Sequence, residues 1–145
     1  MSETRLGVCR RCSAVVRARS EAPCGAGGRH RVAPSAGHYL LDDRPLPEAW
    51  QGDWQVCGGC EALWHVLGQA RPCGAGGHHT DPGGPDLVVA RNSQPPGYRG
   101  GFRWCAGCHE LWLPSAGEGR CPAGGDHDGA ASAAYALRTA SGAAG

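Results

Sequence analysis

At 145 residues with a formal net charge of +1, the chain has the length of one ordinary domain and lacks the overall basic excess of a protein built to coat nucleic acid. Ten Leu, eight Val, one Phe and no Ile make up about 13% of the chain, against 25 Gly and 11 Pro, which leaves little material for a large apolar core. The near-zero net charge argues against disorder, and no run approaches the ~18 apolar residues of a membrane span, so something other than apolar bulk has to hold the chain.

The first unit begins at LGVC, with apolar Leu6 and Val8 ahead of Cys9. Cys12 completes a Cys-x-x-Cys pair, Val15 and Val16 follow, and CGAGGRH then runs from Cys24 to His30. At eight and ten residues beyond that histidine stand His38 and Leu40, the alternation of a half-buried strand. The second unit repeats the order through WQVC, with Trp54 and Val56 ahead of Cys57, then Cys60, Leu63, Trp64, the loop from Cys73 to His79, and Leu87 with Val89. The third has FRWC, with Phe102 and Trp104 ahead of Cys105, then Cys108, Leu111, Trp112, the loop from Cys121 to His127, and Tyr135 with Leu137. The first cysteines of successive units are 48 residues apart both times, which marks an internal repeat.

All nine cysteines fall in these units, three in each. Zn²⁺ takes a tetrahedron of thiolate and imidazole, and three Cys with one His is a common structural set. The expected ligands are Cys9, Cys12, Cys24 and His30; Cys57, Cys60, Cys73 and His79; and Cys105, Cys108, Cys121 and His127, with one structural zinc in each unit. The adjacent His78 also offers a workable gap, but the repeat alignment favours His79. Glycines in the second loop permit positive φ, so five intervening residues can double back and present the imidazole. Disulfides are the poorer reading: nine thiols leave one over, and the opening MSETRLGVCRRC lacks the apolar stretch of a secretory signal, which points to the reducing cytoplasm.

Gly and Pro clusters separate the segments and nothing sustains a 3.6-residue period. The expectation is an all-β fold of about four short strands per unit, forming a β-trefoil-like single domain over residues 1–145 with repeats at 6–41, 54–90 and 102–138. Tandem zinc-ribbon-like modules are the alternative. Trp54, Trp64, Trp104 and Trp112 occupy offsets shared with Leu6, Val16 and Val8, as packing positions do; Trp50 has no apolar counterpart and is the candidate exposed aromatic. His65 and His109, beside Glu61 and Glu110, read as surface residues.

The units resemble a group of bacterial repeat proteins whose repeat runs roughly W-x-W-C-x-x-C-x-x-L-[FW], a Gly-rich gap, C-P-A-G-G-x-H, then Y-x-L. FRWCAGCHELW, CPAGGDH and YAL carry the likeness in unit three; unit two departs at CGAGGHH and DLVV, and LGVCRRCSAVV in unit one has lost every aromatic. The resemblance covers roughly residues 6–137 and implies metal-binding, β-rich repeats, with no activity to carry over.

A full protein set of four ligands leaves no open position of the kind a catalytic zinc keeps, and the Gly-rich loops carry neither GK[ST] nor GxGxxG. These features point to a non-catalytic binding or structural module for a protein or glycan. The alternative is a nucleic-acid-binding zinc protein using the seven Arg of residues 1–41, which stand against only Glu3 and Glu21. Three zinc thiolate sites lower the formal charge from +1 to −2, however, which weakens that alternative. Arg10 and Arg11 inside the first Cys-x-x-Cys also raise redox-sensitive zinc release, since nearby positive charge favours a reactive thiolate.

Overall fold

Strands form where each unit places its apolar pairs, and the same three places are used three times. The computed structural model describes residues 3–32, 37–42, 51–66, 73–74, 76–77, 79–80, 87–92, 94, 96–115 and 120–139, and among these there are nine strands and no helix. Unit one contributes β1 (Glu3–Val8), β2 (Val15–Arg17) and β3 (Tyr39–Asp42). Unit two contributes β4 (Gln51–Val56), β5 (Leu63–His65) and β6 (Leu87–Arg91), and unit three β7 (Tyr98–Trp104), β8 (Leu111–Trp112) and β9 (Tyr135–Thr139).

Within each unit the first strand pairs with both others, antiparallel. The hairpin register is Val8 with Val15, Val56 with Leu63, and Trp104 with Leu111. On the other edge Leu6 faces Tyr39, Trp54 faces Leu87, and Phe102 faces Tyr135. Every one of these positions recurs at the 48-residue period. The units then pair with one another: β9 lies against both β3 and β6. At the opposite end single bridges join Val16 to Ala62, Trp64 to Glu110, and Trp112 to Ala14. Strand pairing between units is what separate tandem modules would lack, so the fold is the trefoil-like one, a nearly closed barrel-like sheet built from three repeated units.

The barrel core repeats the same logic. Leu6, Trp54 and Phe102 are fully buried, with Val15, Leu63 and Leu111 beside them from the hairpin partners. Tyr39 meets Phe102 edge-on at 5.1 Å, and Tyr135 meets Trp54 at 5.4 Å, both arrangements that aromatic quadrupoles favour. The core reading of Trp54 therefore holds, while Trp50 lies outside the described residues.

Two expectations are corrected. The described residues of each unit hold three strands, not four. Beyond the strands, the Gly-rich loops carry single bridges, Pro23 with Arg29 and Arg120 with Asp126. In unit one, His38 is exposed and Tyr39 takes the core position equivalent to Leu87 and Tyr135. The gap from Cys12 to Cys24 is one residue shorter than in the other units, and the stretch after His30 is one longer, so counting from the histidine slips the register while the 48-residue period keeps it. A one-residue slip moves a strand's side chains to the other face.

Candidate metal centres

Each metal site is built from two loops. The first is the knuckle between the first two strands. In it Ser13 N–H donates to Cys9 O and Cys9 N–H to Ala14 O; the same pair of bonds recurs from Glu61 and Cys57, and from His109 and Cys105. To close that turn the residue after the second cysteine takes a left-handed backbone: φ is 66° at Ser13, 62° at Glu61 and 66° at His109. None is glycine, so the turn carries some strain three times over, which a surrounding frame has to hold.

The second loop is the Gly-rich one. Cys24 N–H donates to Gly28 O and Gly27 N–H to Cys24 O, and Gly27 and Gly28 stand at φ 93° and 69°. The equivalent pairs are 96° and 67° at Gly76 and Gly77, and 106° and 68° at Gly124 and Gly125. This is the doubling-back that the sequence called for. The two loops are clamped by Arg10 N–H to Arg31 O, Gly58 N–H to Thr80 O, and Ala106 N–H to Asp128 O.

The loops bring together Cys9, Cys12, Cys24 and His30; Cys57, Cys60, Cys73 and His79; and Cys105, Cys108, Cys121 and His127. These are the twelve residues that spacing selected, all of them buried, with ligand atoms within 4.8 Å of one another in each set. His79 supplies the imidazole of set two; His78 lies outside the described residues.

The distances test the fit of a zinc ion. With Zn–S near 2.3 Å and Zn–N near 2.0–2.1 Å, a tetrahedron separates two sulfurs by about 3.8 Å and a sulfur from a nitrogen by about 3.5 Å. Cys9 Sγ and Cys24 Sγ are 3.9 Å apart, Cys57 and Cys73 3.6 Å, and Cys105 and Cys121 3.7 Å. The second cysteine and the histidine Nδ1 are separated by 3.6, 3.5 and 3.5 Å in the three sets. A disulfide needs sulfurs ~2.05 Å apart, and all nine cysteines are free. The donor set and its geometry fit three structural zinc ions, each held by Nδ1 and three thiolates.

Backbone donors support the thiolates. Cys9 Sγ accepts from Arg11 and Arg31 N–H at 3.4 and 3.5 Å, and Cys57 Sγ from Gly59 and Thr80 N–H at 3.3 and 3.4 Å. Cys105 Sγ accepts from Asp128 N–H at 3.3 Å. In the protein-only environment these first cysteines are pushed far toward thiolate, Cys57 to about 2, by hydrogen bonds led by the neighbouring second cysteine and against the opposing effect of burial. The second cysteines, Cys12 and Cys60, are pushed the other way, first by those same sulfur contacts and then by burial. Burial would depress the histidines, yet thiolate contacts raise His30 and His127 to about 10, and Cys57 together with Glu110 raises His79 to about 9. Such a crowded set of thiolates is what a dication neutralises.

Around the ligands the units differ. Trp64 stacks on His79 at 4.9 Å and Trp112 lies over His127 at 5.0 Å, whereas unit one has Val16 at that offset. Arg11 directs its guanidinium at Gly27 O and Ala26 O, so it braces the Gly-rich loop of its own unit.

Two residues read as surface are not. His109 is buried with its ring 4.8 Å from that of Trp104, and Glu110 is 3% exposed. The signal was available in the repeat itself, since Glu110 occupies the offset of Ala14 and Ala62, both fully buried. No family model matches the chain, and no similar protein was found among curated proteins or solved structures.

Proposed function

We propose that this is a non-catalytic, zinc-held binding or scaffolding module of the cytoplasm whose ligand is a protein or a glycan. The observation that carries the reading is the completeness of each ligand set: three thiolates and one imidazole fill a zinc tetrahedron and leave no position for water or substrate. The metals thus serve as frame, and recognition falls to the surface that the frame displays. The tryptophans described support a packing role for most of the aromatic content, since Trp54 sits in the barrel core and Trp64 and Trp112 lie over ligand histidines. The likeness to bacterial zinc-binding repeat proteins belongs to the same proposal. Screening the zinc-loaded chain against a glycan array and by quantitative cross-linking tests it. A saturable ligand whose binding disappears on chelation is expected; turnover of a substrate at a zinc site would overturn the reading.

One observation favours nucleic acid as the second reading. Arg10, Arg29 and Arg31 are exposed around the first metal site, where unit three has Ala106, Asp126 and Asp128. Only one of the three pseudo-equivalent loop pairs is therefore basic. Retention on immobilised DNA or RNA that falls steeply with salt and is abolished by Arg10→Ser with Arg31→Ser would favour this reading over the first.

A further inference from the structure

The three metal sites are joined to one another. His30 Nε2 lies 2.8 Å from Cys60 O, so the ligand histidine of unit one donates to the knuckle of unit two. His127 Nε2 lies 2.8 Å from Cys12 O, linking unit three to unit one in the same sense. With Nδ1 on the metal, Nε2 carries the proton, and an acceptor for it fixes both tautomer and ring orientation. Symmetry calls for a third link, from His79 to the knuckle of unit three. Among the described residues no backbone carbonyl accepts from His79; instead Glu110 Oε2 lies 3.3 Å from its Nε2, a close polar contact short of good hydrogen-bond alignment. The same carboxylate has Oε1 3.9 Å from His127 Nε2 and Oε2 4.0 Å from Cys60 Sγ.

The Gly-rich loop of unit one also meets those of units two and three. A Cβ on Gly74 would stand 2.8 Å from Gly25 N and 3.0 Å from Cys24 C, and one on Gly25 would stand 2.9 Å from Pro122 Cδ. The loop of unit one thus lies against the loops of both other units, beside the links from His30 and His127.

We propose that Glu110 is the positioning residue that closes this ring, holding His79 for its metal as the Cys60 and Cys12 carbonyls hold His30 and His127, so that the three zinc ions are taken up and lost as a set. This rests on the zinc assignment of the twelve ligands. A buried carboxylate at an offset where the other units have alanine is otherwise a costly substitution, because a buried charge needs a partner. Replacing such an outer acceptor typically weakens metal affinity 10–100-fold.

The test is a zinc titration of the reduced full chain against a competing chelator, read by native mass spectrometry. Alkylation mapping of Cys57, Cys60 and Cys73 identifies which site empties first. The wild-type chain is expected to populate zero- and three-zinc forms, with one- and two-zinc forms below a statistical distribution. Glu110→Ala is expected to accumulate a two-zinc form with unit two alkylated first, at a 10–100-fold higher chelator sensitivity. Glu110→Gln keeps an acceptor oxygen and is expected to stay within a few-fold of wild type, which separates positioning from packing and covers the case in which the alanine variant fails to fold. Statistical loading of the wild type, or wild-type loading of Glu110→Ala, would overturn the proposal, as would a glutamine variant no better than alanine. A chain that takes up no zinc at all would remove the zinc assignment itself.

Discussion

The two ends of this molecule are held by different physics. At the barrel end, fourteen buried side chains such as Leu6, Trp54, Phe102 and Leu137 pack against one another, and most are interchangeable in kind across the three units. At the metal end the packing partners are mainly cysteines and alanines: Cys9, Ala14, Cys57 and Ala62 form a cluster that would be weak as an apolar core. The barrel end has Leu, Trp and Phe at one offset; the metal end keeps three Cys and one His in every unit. A chain this poor in aliphatic residues gains from coordination the cohesion that burial cannot supply.

The strongest way to break that comparison is to remove the metal. Apparent binding free energies of about 10–16 kcal/mol per structural zinc are comparable to or greater than a whole domain's stability of about 5–15 kcal/mol. Chelation under reducing conditions is therefore expected to unfold both ends, not the metal end alone. Retention of β-sheet amide dispersion in a zinc-free NMR spectrum would mean that the barrel stands unaided.

Next in size is Trp54→Ala, which opens the barrel core next to Tyr135 and is expected to cost about 3–5 kcal/mol. Because this damage is on the apolar side, the folded fraction should still carry three zinc ions, measurable by native mass spectrometry beside denaturant unfolding. Gly74→Ala acts at the other end: its Cβ meets backbone rather than a movable side chain, so an expected cost of about 1–3 kcal/mol should come with faster zinc release. A variant with unchanged stability and release rate would show that the loops are not tightly apposed.

The smallest effect is a pH dependence at the edge between the two ends. His65 packs against Trp54, and burial lowers its pKa below the usual 6.5, with Asp53 opposing. The unfolded chain then binds a proton that the folded chain resists, so stability is present above about pH 6.5 and declines as the pH falls below it. Comparing urea midpoints of wild type and His65→Gln at pH 7.5 and 5.5 isolates the contribution from acid-driven zinc loss, which both share. The variant should lose less on acidification.

The ligands were legible in the sequence because metal coordination is local and its spacing survives when everything else drifts. Even unit one, with Val16 where Trp64 and Trp112 stand, keeps Cys9, Cys12, Cys24 and His30 together. The core position Tyr39 was missed because alignment from His30 ignored a compensated one-residue change in loop length, whereas closure of the barrel depends on the 48-residue period. Glu110 was missed for another reason. Read within HELW alone it is a surface acid; only its repeat offset, shared with Ala14 and Ala62, and its contacts with Trp64 and His79 of unit two mark it as buried.

The ring at the metal end has a direction. Arg17 N–H donates to Glu61 O, His65 N–H to His109 O, and Leu113 N–H to Ser13 O, so every unit gives to the next and receives from the one before. A head-to-tail handshake of this kind is satisfied only when the circle returns to its start. Cutting the chain between units would leave a two-unit fragment with one donor and one acceptor of this bond set unpaired, and the missing unit would carry the complementary pair. The metal end is therefore a property of the three units together and of no unit alone.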